Sequence, residues 1–253
     1  MKIKVKLEMA RLLLRAKTPL NVWAKLLGGM IKKGSLNKKF SDYQHEFEND
    51  IEKMQLSINW FTSYIPRWID VFLRANLDRK ANYKILEIRS FEGNSSSFIL
   101  KFFENSTLTC VDTWGGSDEH KLVLMNAVEQ NFDFNTTPYA TRLKKFKGTS
   151  FKFFEYTGFI GEEFDFIYVD GSHYIDDVLV DALRCLDLLK VGGVMIFDDY
   201  LSIAYKKWDA NPAIAINTFL KLKNKNVRVV AAYGQLAVVK TRSEERAATQ
   251  VSV

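Results

Sequence analysis

Five short stretches hold side chains that could do chemistry, and each follows an apolar run. They are "EIRSFEGNSS" from residue 87, "VDTWGG" from 111, "KGTSF" from 147, "VDGSH" from 169 and "FDDY" from 197. In an open α/β sheet, ligands bind outside the carboxyl ends of the strands, where these stretches would fall. The first places an acid, Glu87, at a strand tip, followed by a turn with Gly93 and a helix opened by Asn94 and Ser95. The first backbone N–H groups of such a helix face whatever lies there. In the second, Asp112 ends the next strand, where a carboxylate can accept both hydroxyls of a ribose. An acid after each of two neighbouring strands describes a nucleoside site. The last two stretches add three more carboxylates, Asp170, Asp198 and Asp199, and an imidazole, His173.

The elements that must position these groups are legible as a pattern. From residue 84 the chain alternates short apolar strands with amphipathic helices, as in a mostly parallel sheet covered on both faces. Strands are predicted at 84–88, 107–111, 143–147, 164–169, 193–197, 227–231 and 235–240. After "DGSH", Ile175, Val178, Leu179, Ala182, Leu186 and Leu189 form the buried stripe of a helix. Asp176 and Asp177 suit its first turn and Lys190 its last, and Gly192 and Gly193 would stop it. The last two strands meet at "AYGQ", with Gly234 permitting a tight turn, and read as an antiparallel hairpin. Upstream, Phe47, Ile51, Met54 and Ile58 fit one apolar face within a helical stretch over about 42–78, and Pro66 should start a second helix there. The aromatics Trp60, Phe61, Tyr64 and Trp68 either roof a pocket or pack this layer on the sheet.

With 253 residues, 47% hydrophobic and 26% charged, the chain can bury one sizeable core. No run approaches the roughly 18 apolar residues of a spanning helix, and Arg11, Arg15 and Lys17 interrupt the early leucines, which predicts a soluble cytoplasmic protein. Cys110 and Cys185 lie in apolar contexts without CxxC spacing, so buried reduced thiols are expected. Residues 1–40 hold eleven lysines and arginines against the single acid Glu8, a net +10, which leaves the rest at −4 within a total of +6. This segment suits an anionic membrane surface or an acidic partner, or is a loosely ordered solvated extension. A mildly acidic body gives no reason to expect nucleic acid. The expected organisation is a basic extension (1–40), a helical cap (41–80), the α/β domain (81–240) and a polar tail (241–253).

The series "ILEIRSFEGNSS", "LTCVDTW" and "FDFIYVDGSHYIDDVLVDALRCLDLLKVGGVMIFDDY" resembles the class I S-adenosylmethionine-dependent methyltransferases, in particular the small-molecule O-methyltransferase-like group with a DGSH-type fourth motif. The resemblance covers about residues 60–240 and implies a doubly wound, seven-stranded, Rossmann-like sheet with a terminal antiparallel hairpin. It implies that Glu87, Ser90 and Gly93 line the methionine and ribose end of S-adenosyl-L-methionine. Asp112 would hold the ribose hydroxyls, Thr113 and Trp114 would border the adenine, and Ser150 would lie near the adenine edge. In the related metal-dependent enzymes, carboxylates at the positions of Asp170, Asp198 and Asp199 bind a divalent cation, of which Mg2+ is the natural choice for hard oxygen ligands. The cation would orient an acceptor hydroxyl, and His173 would take its proton.

Members of this group carry glycine where this chain has Arg89, because backbone and cofactor approach closely there. The implied function is O-methylation of a small-molecule hydroxyl, on a sugar or a phenol. The rival reading is a catalytically silent binding module that keeps the fold. A nucleotide-dependent oxidoreductase is disfavoured by the "VDGSH" and "FDDY" pair and by the terminal hairpin.

Overall fold

In the computed structural model, residues 2–115, 122–157, 163–171, 174–202 and 211–243 are described. Seven strands form one sheet: β1 (Lys84–Ile88), β2 (Thr107–Asp112), β3 (Leu143–Lys147), β4 (Phe164–Val169), β5 (Leu189–Phe197), β6 (Val227–Ala232) and β7 (Leu236–Lys240). Their order is β3-β2-β1-β4-β5-β7-β6, with β7 antiparallel to both β5 and β6 and the other neighbours parallel. The strand order reverses between β1 and β4, which makes the gap between their tips the topological switch point of the sheet.

Side chains alternate between the two faces of each strand. Leu86, Ile88, Ile167 and Val169 enter one core with α7 (Ser150–Thr157), α8 (Ile175–Leu188) and α9 (Pro212–Leu222). Ile85, Phe166 and Tyr168 enter the other with α3 (Ser41–Ile51), α4 (Ile65–Arg74), α5 (Asn94–Phe102) and α6 (Leu122–Thr136). Pro66 stands in the first turn of α4, as expected, since its missing N–H costs nothing there.

Residues 1–40 are not a loose extension. They contain α1 (Lys2–Arg15) and α2 (Leu20–Lys39), and Leu13, Ala16, Val22 and Leu26 are buried in the first core while Leu36 and Phe40 join the second. Asn217, on α9, donates its amide to the Ala16 carbonyl and to the Thr18 hydroxyl, so the turn between the two helices is tied to the body.

Two predicted boundaries move. The helix after the first acidic stretch ends at Leu188, and Leu189 to Gly193 already belong to β5, where Gly192 takes φ +86° within an irregular register. Lys190 pairs with Asp165 at 2.9 Å instead of capping the helix. The helical stretch upstream breaks at Ile51, because the amide N–H groups of Gln55 and Ser57 are bound by the Asn135 and Glu92 side chains. Gly234 is needed for close approach, not for its dihedrals: a Cβ there would lie 2.9 Å from the Tyr64 hydroxyl oxygen.

Candidate active site

Backbone hydrogen bonds beyond the sheet ladder hold the strand tips. Arg89 N–H donates to the Val111 carbonyl, Asp170 N–H to that of Ile88, Asp198 N–H to that of Val169, and Gly148 N–H to that of Asp112. The acids are thus fixed by the sheet itself. Three of the loops continue through left-handed non-glycine residues: Arg89 (φ +67°), Phe91 (+48°), Trp114 (+47°) and Asp199 (+53°). Each costs roughly 1–2 kcal/mol relative to glycine, a strain of the kind that clusters at functional sites.

Glu87 is fully buried. It accepts the hydroxyls of Ser95 and Ser96 and the Cys110 thiol, so it ties the start of α5 to β1. Burial pushes its carboxyl pKa up, against the lowering effect of hydrogen bonds from Ser95, Ser96, Ser90 and Cys110. Gly93 is left-handed (φ +77°) at the N-cap of α5, where a Cβ would collide with Thr136 at 2.8 Å. Beside it the Ser90 hydroxyl is buried against the Glu87 carboxylate and the Cys110 thiol, and the Asn94 side-chain oxygen is buried without a hydrogen-bond partner. An unpartnered buried polar atom is costly, and here it borders the positive end of a helix at the switch point.

Asp112 lies half-buried at the tip of β2. Its two oxygens accept from Phe91 N–H at 2.9 Å and Trp114 N–H at 2.8 Å, which clasps two of the left-handed turns. Thr113 is exposed and accepts from Gly115 N–H. The Trp114 indole is buried, donating to the Phe91 carbonyl and packing on Phe132 under Lys145. Ser150, at the start of α7, bonds instead to Asp181 of α8. Burial, first, and then Asp177 raise the Asp181 carboxyl to about 6, while Ser150 and Arg89 act to lower it.

Arg89 spans the switch point, its Nη1 donating to the Gly171 carbonyl at 2.9 Å. Gly171 is in turn pressed against Asp181, since a Cβ there would meet the Asp181 carboxylate oxygen at 2.5 Å. Asp170, Asp198 and Asp199 line one small cleft together with Val178, Phe197 and Ile216. Burial and then Asp198 push the Asp170 carboxyl well above the usual carboxylate range; Arg89 opposes this and Asp199 adds to it. His173 lies outside the described residues.

Asp198 is already engaged: Oδ2 accepts the Tyr168 hydroxyl at 2.8 Å, and Oδ1 accepts the Gln235 amide at 2.9 Å. Gln235 accepts from the Trp68 indole N–H at 2.7 Å, so a buried polar chain runs from α4 to β5. Phe61 and Trp68 therefore pack the layer, whereas Tyr64 reaches the acidic cleft. Its phenol is pushed up to about 12 by burial, then by Asp198 and Asp199. Tyr64 was among the aromatics read from the sequence as roofing a pocket or packing the layer, whereas Tyr168, Gln235 and Asp181 were not singled out. Only Asp181 left a readable signal there, as a carboxylate beside Val178, Ala182 and Cys185 on the buried stripe.

Residues 86–200 match the model of a methyltransferase domain family. No curated protein matches the chain in sequence. Among solved structures, an O-methyltransferase from Bacillus cereus in complex with SAH is similar at 16% identity, over 81% of this chain and 97% of that one, with a TM-score of 0.51. The fold is that of the class I methyltransferases. The MycE methyltransferase of the mycinamycin biosynthetic pathway, in complex with Mg and SAH, is similar at 16% identity and a TM-score of 0.53. The match covers 81% of this chain and 54% of that one, so the chain spans about half the length of MycE.

For a bound S-adenosylmethionine the donor set fits: a helix N-terminus with the orphaned side-chain oxygen of Asn94 beside it, and a strand-tip carboxylate at Asp112 with lone pairs to spare. For a cation, no group of three or more His, Cys, Asp or Glu side chains is gathered among the described residues; Asp170, Asp198 and Asp199 line one cleft, where Asp198 accepts from Tyr168 and Gln235.

Proposed function

We propose that the protein is an S-adenosylmethionine-dependent methyltransferase that acts in the cytoplasm on a hydroxyl of a small molecule, a sugar or a phenol. The observation that carries the reading is the start of α5, where Gly93 is left-handed and the Asn94 side-chain oxygen is buried without a hydrogen-bond partner, within a class I methyltransferase sheet. When bound, S-adenosylmethionine supplies a methyl group on a positively charged sulfur. In this reading Ser90 and the first turn of α5 hold the methionine and ribose end, with Gly93 keeping the approach open. Asp112 accepts the ribose hydroxyls, Thr113 and Trp114 border the adenine, and Ser150 stands at its edge. Glu87 supports the site from beneath by fixing α5.

The cleft of Asp170 and Asp199 receives the acceptor, with the protonated Tyr64 phenol close enough to feel their charge. The acceptor oxygen attacks the methyl carbon in line. Its proton passes to His173 or to Asp170, whose carboxyl pKa is held well above the usual carboxylate range by burial and by Asp198. Much of the rate comes from positioning the two reactants, which can supply several kcal/mol. No step here passes through a metal; a Mg2+ ion, if bound, would be held by Asp170, Asp198 and Asp199 and would orient the acceptor hydroxyl.

Calorimetric titration with S-adenosylmethionine and S-adenosylhomocysteine tests the cofactor, and a screen of hydroxyl acceptors with labelled methyl donor tests the reaction. Micromolar binding of both ligands is expected. One observation favours a second reading, a silent binding module: Arg89 stands where the cofactor approaches closely and bridges to Gly171. Absence of binding to either ligand would select it.

A further inference from the structure

Helix α2 has two apolar lines on opposite sides. Val22, Leu26, Gly29 and Leu36 face the body, and Gly29 lies so close to the β6–β7 turn that a Cβ would meet the Ala232 carbonyl at 2.8 Å. On the other side Leu20, Ala24, Leu27 and Ile31 recur at helical spacing and stand in solvent, Leu20 86% exposed, Leu27 57% and Ile31 84%, with Met30 beside them at 60%. A monomer has no use for this second line, since the helix is already anchored by the first. The same helix exposes Lys32, Lys33, Lys38 and Lys39 and contains no acid. The preceding helix continues the pattern with exposed Leu14 between Arg11 and Arg15.

We propose that this outer face docks the protein on an anionic lipid bilayer, with the aliphatic side chains inserted at the headgroup boundary and the lysines on lipid phosphates and carboxylates. Charge complementarity selects this occupant. A second copy would bring one +10 segment against another. The line spans about 16 Å along a convex helix surface, and a fluid interface can close around such a shape. No described helix is long and apolar enough to cross a membrane, so the attachment is peripheral.

The test uses the full-length protein in sedimentation with vesicles of phosphatidylcholine alone and of phosphatidylcholine mixed with phosphatidylserine. Binding to the mixed vesicles at low salt, lost at high salt and absent on phosphatidylcholine, is expected. Leu27→Gln with Ile31→Gln, and separately Lys32→Gln with Lys38→Gln, should each weaken that binding by about tenfold or more. All four side chains are exposed, so unchanged circular dichroism and melting should accompany the loss. The proposal is overturned if the wild type ignores the mixed vesicles at low salt, or if either pair of substitutions leaves binding intact. It is equally overturned if the apolar pair abolishes self-association instead, or if the protein captures polyglutamate while ignoring vesicles.

Discussion

Replacing Arg89 with glycine should move stability and cofactor affinity in opposite directions. The native residue is left-handed at φ +67°, which costs roughly 1–2 kcal/mol that glycine would relieve. Against that, the guanidinium donates to the Gly171 carbonyl at 2.9 Å, a charge-assisted bond contributing about 1.5–3 kcal/mol. Glycine also gains about 0.5–1 kcal/mol of unfolded-chain entropy. The net expectation is a loss of about 1–2 kcal/mol, a fall in melting temperature of roughly 2–6 °C for a chain of this size.

Affinity should rise, because the side chain crosses the gap between β1 and β4 where the methyl donor's amino-acid end would lie. A tenfold gain in S-adenosylmethionine binding, equivalent to about 1.4 kcal/mol, is the expected size. Paired calorimetry and thermal melts on Arg89→Gly and wild type measure both quantities. Weaker binding by the glycine variant would refute the obstruction argument and make the guanidinium a ligand, most simply for a carboxylate. Stability that rises together with affinity would show that the Gly171 hydrogen bond contributes little.

Asp112→Ala should cut S-adenosylmethionine affinity by at least about tenfold, since each charge-assisted bond lost is worth about 1.5–3 kcal/mol; unchanged affinity in calorimetry would remove Asp112 from the site. Asp198→Ala orphans the buried Tyr168 hydroxyl and Gln235 amide, and should cost about 2–5 kcal/mol in denaturant unfolding. A cost below about 1 kcal/mol would mean the network contributes little. His173→Ala should lower turnover by roughly a hundredfold while leaving cofactor affinity intact, and an unaltered rate would give the base role to Asp170. Asp181 has a folded pKa of about 6, above its ordinary 3.8, so the native state holds the extra proton. Its contribution is therefore greatest below about pH 4 and is lost as pH rises through about 6, a swing of up to about 3 kcal/mol. That swing should vanish in Asp181→Asn, and identical pH profiles of unfolding for the two proteins would contradict it.

The strands were legible because each is an apolar run closed by a polar tip, and all seven occur at or within a few residues of the positions read from the sequence. The boundaries that failed are set by partners far away in the chain. Lys190 and Gly192 look like helix terminators. Yet the carbonyls of Leu186 and Leu189 are bound by Lys240, about fifty residues later, and the chain enters β5 at once. The break after Ile51 likewise depends on Glu92 and Asn135, which no local window contains. The basic segment misled for a related reason. Its composition reads as solvated, but four of its apolar side chains belong to the first core and two to the second.

The site was legible at its carboxylates and illegible at its strain. Glycine is the usual sign of a left-handed turn, and Arg89, Phe91, Trp114 and Asp199 carry no such sign although all four adopt that conformation. What keeps Phe91 and Trp114 there is Asp112, whose two oxygens hold their N–H groups. That bond pattern bears on the role inferred from sequence. A carboxylate offers about four lone-pair sites, so accepting two backbone donors leaves room for two ribose hydroxyls on the same group. The clasp also orients those remaining lone pairs before any ligand arrives. On the proposed role Asp112 would carry two demands at once, and a substitution that preserves only the turns would separate them: Asp112→Asn keeps one acceptor oxygen for a backbone N–H but loses the charge. Its melting temperature should fall less than that of Asp112→Ala while its cofactor affinity falls nearly as far. Equal losses of both in the two variants would mean that the carboxylate acts only through the turns it holds.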